Sequence, residues 1–231
     1  LRLLDEPGSE TMIMIKELKW YMSSMISTDL FTVMRERHSV KHFDPAHSLS
    51  VQEIRELLEL AGSAPSAWNL QHWKFLAIAD PAAKDKLLPV AYGQQQAAEA
   101  SVVIAILGDL EANRNAEAVF DPAVNAGHMP EEVKAALIGQ IEQAYAASPA
   151  YARDEAIHNA SLAAMQLMLA AKARGLDSCP MGGFDAERFV QAFNVPARYI
   201  PVLLVAIGKA AAPARPSARF PAEQTIVWNG F

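Results

Sequence analysis

A single cysteine, Cys179, in 231 residues leaves no intramolecular disulfide framework and no zinc site built from several thiolates. Such cysteine use fits a reducing cytoplasm. No run of about 20 apolar residues is present, so a bilayer-spanning helix is not expected. The N-terminal stretch Met12–Ser27 is interrupted by Lys16, Glu17 and Lys19, and it lacks the apolar middle and small-residue cleavage site of a signal peptide. Basic residues are outnumbered, 20 against 26 acids, for a net charge of −6, which argues against a broad nucleic-acid footprint. The chain contains no G-x-G-x-x-G, no P-loop, no C-x-x-C, no H-E-x-x-H and no G-x-S-x-G. The pair His38 and His42 with Asp44 has no accompanying carboxylate–histidine cluster at useful spacing, and no metal site is assigned.

What is present is core-forming material. Hydrophobic residues make up 52% and charged residues 20%, enough for one sizeable core at this length. Residues 1–28 read as an N-terminal extension or arm, and 29–231 as the folded domain. Asp29 is a plausible cap for a helix over Leu30–Arg37. Ser50 and Glu53 form a capping box, followed by Val51, Ile54, Leu57, Leu58 and Ala61 on one helical face. Gly62 and Pro65 end that helix. Trp73–Ala79, Ser101–Leu107, Leu176–Phe184 and Ile200–Ile207 read as strands, the second buried on both faces.

Leu87–Glu99 looks helical with an interruption at Gly93. Residues 111–127 are hard to read, with Asp121-Pro122 and Gly127 marking loops. Pro130 suits the first turn of a helix carrying Val133, Leu137, Ile141 and Tyr145. A long helix over Asp154–Arg174 aligns Ala156, Ala160, Ala163, Leu167 and Ala171, and Gly175 follows it. Thr225–Trp228 reads as an edge strand. Helices and buried strands in this order predict an α+β fold, an α/β sandwich with one sheet covered on both faces.

Four segments suit ligand binding better than core. In an extended chain Arg37, Ser39 and Lys41 share one side, and a guanidinium, a hydroxyl and an ammonium together can hold a phosphate. A solvated basic helix end would read the same. The loop Ala64–Trp73 sets Asn69 and Gln71 between two tryptophans, which suits a planar heteroaromatic. Cys179-Pro-Met-Gly-Gly-Phe184 allows close backbone approach with free N–H donors. Arg219 stands in a Pro/Ala-rich tail.

Together, RHSVKHFD at 37–44, APSAWNLQHW at 64–73, the glutamine run at 93–96, GLDSCPMGGFD at 175–185 and Arg219 resemble the nitroreductase family of flavin mononucleotide (FMN) enzymes. The resemblance covers about residues 29–231. It implies the nitroreductase-like fold, a central mixed sheet flanked by helices in an intertwined homodimer. It implies that Arg37, His38, Ser39 and Lys41 hold the FMN phosphate and the pyrimidine edge, with Arg219 closing on the phosphate. It further implies that Pro65, Ser66, Ala67 and Asn69 reach FMN from the other subunit. Gln94 or Gln96 contacts ribityl or ring atoms, and the loop Pro180, Met181, Gly182 and Gly183 turns a backbone N–H to flavin N5. Trp68, Tyr92 and Tyr145 are candidate substrate-side aromatics.

Many members carry Glu where this chain has Gly182 and Pro where it has His72. The implied activity is hydride transfer from NAD(P)H through the flavin to a nitroaromatic, a quinone or a similar small acceptor, by a ping-pong mechanism. No obligatory side-chain acid or base is needed, because the cofactor carries the chemistry while Lys41 and Gly183 tune it. Two alternatives on the same fold are a specialised flavin enzyme of dehalogenase or flavin-fragmenting type, and a flavin-binding sensor or storage protein without turnover.

Overall fold

The segment VVIAILGD is apolar on both of its alternating faces, so it is stable only when covered from either side. In the computed structural model, which describes residues 29–231, it forms a strand whose every residue is buried. The expected extension at 1–28 lies outside the described residues. In chain order the strands are β1 (Trp73–Ile78), β2 (Val102–Asp109), β3 (Asp177–Met181) and β4 (Tyr199–Gly208). The helices begin with α1 (Leu30–Glu36), α2 (Val51–Gly62), α3 (Pro81–Val90), α4 (Gln95–Glu99) and α5 (Ala116–Asn125). They continue with α6 (Glu131–Ala147), α7 (Pro149–Ala173), α8 (Ala186–Phe193) and α9 (Ala222–Thr225).

The sheet order is β1-β2-β4-β3, and each neighbouring pair is antiparallel. An isolated parallel bridge joins Ser39 to Ser178 on the outer side of β3, but the four strands themselves are antiparallel throughout, which corrects the mixed sheet expected from the resemblance. On one face Val102, Ile104, Ile106, Val205 and Ile207 meet α2 and α7 through Ile54, Leu57, Ala160 and Leu167. On the other, Val103, Ala105, Leu204, Ala206 and Met181 meet α3, α4 and α8 through Leu87, Val90, Ala97 and Phe189. Each fully buried Val, Leu or Ile side chain contributes about 1.5–3 kcal/mol, so β2 holds the two layers together.

The helix signals act as expected. Glu53 N–H donates to Ser50 Oγ (3.2 Å) and Ser50 N–H to Glu53 Oε2 (2.8 Å), closing the capping box. Ala156, Ala160, Ala163, Leu167 and Ala171 are all fully buried. Gly175, at φ 69, ends α7 with paired bonds from its own N–H to Lys172 O and from Leu176 N–H to Ala171 O. Small residues let α7 lie close on the sheet: a Cβ on Gly108 would stand 2.9 Å from Ala156 O.

Four expectations are corrected. The helix expected to start at Leu87 begins at Pro81, capped by Asp80, while the interruption expected at Gly93 is present as a left-handed turn at Tyr92 and Gly93 (φ 54 and 69) between α3 and α4. Residues 112–125 are a short 3-10 turn and α5, with Pro122 inside the helix, held by Ala116 and Phe120 against Ile141. On α6, Val133 is exposed although Ile141 is buried, because residues spaced by four drift about 40° per step around a helix of 3.6 residues per turn. Thr225–Trp228 pairs with no strand among the described residues; it finishes the turn α9 and then runs exposed. No helix among the described residues is long and apolar enough to cross a membrane.

Candidate active site

The basic segment is extended because α1 stops at Arg37. The Arg37 N–H still reaches Val33 O (3.0 Å), but ψ opens to 113°. From there the chain runs along β3, with Val40 N–H donating to Ser178 O (3.1 Å). Val40 and Phe43 are buried in the core and anchor the segment, and Val40 is flanked on both sides by exposed residues. Ser39 and Lys41 are exposed, and Arg37 and His38 are half-buried. The segment is then strapped down by Phe43 N–H to Glu99 Oε2 (3.1 Å) and Asp44 N–H to Lys209 O (2.8 Å). Burial pushes the Cys179 thiol up, and the Lys41 ammonium beside it works the other way. Among the described residues, no group of three His, Cys, Asp or Glu side chains is arranged to hold a metal ion.

The loop after β3 is exposed at Gly182 and Gly183. Phe184 N–H donates to Gly182 O (3.3 Å) and Asp185 N–H to Val90 O (2.9 Å). Gln94 Nε2 donates to Gly183 O (2.7 Å), and Gln96 Nε2 donates to Gln94 Oε1 (3.0 Å). The N–H groups of Gly182 and Gly183 make no hydrogen bond with any described residue. Neither glycine has positive φ, and a Cβ on either would meet nothing within 4 Å. The fold itself does not demand glycine at these two positions. Bare backbone donors facing open space beside a basic segment are what a flat, phosphate-bearing cofactor needs. Pro180 and Met181 lead into the loop, with Met181 buried in the core.

A second group forms around 64–72. Trp68, Asn69 and Gln71 adopt left-handed backbone (φ 48, 57 and 53), which for non-glycine residues costs about 1 kcal/mol or more each. Ala67 N–H donates to Asn159 Oδ1 (2.8 Å), Gln71 N–H to Ser66 Oγ (3.0 Å), and Asn115 Nδ2 to Leu70 O (2.9 Å). Pro65 is exposed ahead of this turn. Trp68 and Tyr145 pack on one cluster with Leu70, Phe120 and Ile141, so two of the three expected substrate-side aromatics converge. Burial raises the pKa of the Tyr145 phenol, and Tyr151 and Glu155 add to the shift. Tyr92 lies elsewhere, exposed at the α3–α4 turn two residues before Gln94. Arg219 donates to Ser217 Oγ (3.1 Å) and Ala218 O (2.8 Å) within the tail.

The two groups occupy the same end of the sheet on opposite edge strands. One follows β3 and the other precedes β1, three strand spacings or about 14 Å apart. No hydrogen bond among the described residues joins them directly. Between them, β3 covers only Leu204–Gly208 of β4, and a cavity of about 650 Å³ borders Ile200, Pro201 and Val202 together with Arg153 and Val190. None of the expected site residues lines it.

The Nitroreductase family profile matches residues 34–209. The chain belongs to the nitroreductase family. YodC of Bacillus subtilis (strain 168), named as an NAD(P)H nitroreductase, is 50% identical over 201 residues, covering 87% of this chain and 99% of its own. The CLA biosynthesis enone reductase of Lactiplantibacillus plantarum is 32% identical over 194 residues, 82% of this chain and 89% of its own. A nitroreductase-type protein from Exiguobacterium sibiricum, crystallised in complex with FMN, superposes with a TM-score of 0.82 at 36% identity, covering 87% of this chain and 98% of that one. For this nitroreductase the matched region spans both residue groups and stops short of Arg219.

Proposed function

We propose that this nitroreductase is an FMN-dependent NAD(P)H oxidoreductase acting as a homodimer, with residues 29–231 as the cofactor-binding unit. The observation that carries the reading is the pair of N–H groups on Gly182 and Gly183 that have no partner among the described residues, on the loop that follows the strand bridged by the basic segment with half-buried Arg37 and exposed Ser39 and Lys41. Bound FMN supplies the hydride chemistry, accepting two electrons from NAD(P)H and delivering them to a nitroaromatic, a quinone or a similar electron-poor acceptor. Arg37 and Ser39 would hold the phosphate, with Arg219 closing from the tail. Lys41 would set a positive charge near the ring and favour a reduced, anionic flavin. The Gly183 N–H would donate to the ring edge.

The separation of the two groups within one chain supports a shared site. Each basic and glycine segment would be completed by the strained 65–69 loop of a second copy, which brings Asn69 and an aromatic wall from Trp68 and Tyr145. Nicotinamide and acceptor would then occupy the same face in turn, which requires ping-pong kinetics. Anaerobic titration of the FMN-loaded protein with NADH and NADPH, followed at the flavin absorbance band, tests the reading. Bleaching, then recovery on adding a nitroaromatic or quinone, is expected. A protein that takes up no FMN, or whose flavin neither nucleotide bleaches, overturns it. A monomer that binds FMN at full affinity overturns the shared site.

A further inference from the structure

We propose that Gln94 is a positioning residue for the Gly182–Gly183 loop, held in place by Gln96, and does not donate to the flavin itself. The inference rests on the FMN reading above and deepens it. A primary amide has two N–H donors and one carbonyl oxygen. On Gln94 both donors are taken, by Gly183 O at 2.7 Å and Ala91 O at 3.0 Å. Its oxygen accepts from Gln96 Nε2 at 3.0 Å. The reverse amide orientation would set that oxygen against two carbonyls, so the network fixes one orientation. Gln96 is only 5% exposed, and its amide is seated on the first turn of α4.

The partners of the loop all come from one place. Val90 O takes the Asp185 N–H, and Gln94 takes Gly183 O, so the end of α3 and the start of α4 grip the loop at two points. Phe184 N–H is occupied by Gly182 O. Two adjacent glycines lose more freedom on ordering than any other pair of residues. With no side chains to pack, their peptide planes are set by these bonds alone. Pinning Gly183 O and the two N–H groups that follow leaves the Gly182 and Gly183 N–H groups as the loop's donors without a partner among the described residues. The left-handed turn at Tyr92 and Gly93 delivers Gln94 to a loop 89 residues away in sequence.

The test compares full-length wild type with Gln94→Ala, Gln94→Glu and Gln96→Leu. FMN affinity is read by fluorescence quenching on apoprotein, and the two-electron reduction equilibrium of the bound flavin by dye-coupled titration. Gln94→Ala is expected to bind FMN within about threefold of wild type, because the phosphate contacts are untouched. Its reduction equilibrium is expected to move at least tenfold toward oxidised flavin, about 30 mV for two electrons. Gln94→Glu places a carboxylate oxygen against Gly183 O and shifts at least as far. Gln96→Leu moves part of the way, since Gln94 keeps its carbonyl partners but loses its anchor.

Wild-type equilibria in both Gln94 variants, with FMN bound, overturn the positioning role and leave the FMN reading intact. A hundredfold loss of FMN affinity in Gln94→Ala, with an unshifted equilibrium in the flavin that remains, makes Gln94 a direct ligand and also overturns it. Wild-type protein that takes up no FMN fails the functional reading instead. Thermal melting within a few degrees of wild type separates these outcomes from misfolding.

Discussion

The Ala67 amide and Asn159 Oδ1 lie 2.8 Å apart although 92 residues separate them. Asn159 is buried on α7, and its Nδ2 donates back to Glu155 O (2.7 Å) and Glu155 Oε2 (3.0 Å). Its amide therefore has one orientation, with the oxygen aimed at the loop. A turn with three left-handed side-chain-bearing residues is thus tied to the long helix by a part-buried bond.

Asn159→Leu is expected to destabilise the protein by about 0.5–1.5 kcal/mol, the net worth of the part-buried bond to the Ala67 N–H. Asn159→Asp is expected not to rescue it, because the lost Nδ2 would bring a carboxylate against Glu155. Urea unfolding of the three proteins at one pH checks both statements. A wild-type midpoint for Asn159→Leu contradicts the first.

Gly108→Ala is expected to destabilise by about 1–3 kcal/mol, since the new Cβ meets Ala156 O at 2.9 Å and Ala156 Cβ at 3.0 Å, forcing β2 and α7 apart. Gly62→Ala makes the contrast. Nothing lies within 4 Å of its Cβ, and alanine suits the last turn of α2, so a gain of about 0.4–1 kcal/mol is expected. Denaturant midpoints should move in opposite directions.

Legibility in the sequence followed periodicity. The stripe Ala156–Ala171 and the run Ser101–Leu107 announced themselves because each position's polarity records its own burial. The capping box was legible because it is a bargain between residues three apart. Two kinds of feature were not. Pro122 lies inside α5, where a local rule expects a loop and packing of Phe120 prevails. Long-range side-chain bonds leave no local trace: nothing near Gln94 and Gln96 tells which one faces Gly183, 89 residues on. Asn159 gave one weak signal, a polar residue beside a stripe of buried alanines, and it reads locally as an ordinary helix residue. The site was legible as motifs, while its division into two groups on opposite edge strands depends on the strand order.

Arg37→Ala combined with Arg219→Ala removes two expected charge-assisted contacts to the phosphate, each worth about 1.5–3 kcal/mol. FMN affinity is expected to fall at least tenfold at low salt, and the difference from wild type is expected to shrink at high salt, where the contacts are screened. Equilibrium dialysis at two ionic strengths checks it. Undiminished retention of FMN through gel filtration in high salt counts against the phosphate assignment.

His72 is fully buried, and neither ring nitrogen has a hydrogen-bond partner among the described residues. Burial holds its pKa below the ordinary imidazole value, and the charges of Glu155 and Asp109 offset only part of that. Asp109 is itself bound in two bonds by Arg198, at 2.7 and 2.6 Å, which weakens its pull. The unfolded chain therefore takes up this proton first as pH falls. Stability from His72 is fully present above about pH 6.5 and is lost as pH falls toward the folded value, with a slope of at most about 1.4 kcal/mol per pH unit. His72→Phe fills the site without a titrating group. The difference in unfolding free energy between wild type and His72→Phe should therefore be flat from pH 8 to 7 and move against wild type from pH 6.5 to 5. The other histidines cancel in that difference. A flat difference over the whole range would mean that His72 is protonated equally in both states, which a fully buried, unpartnered ring does not allow.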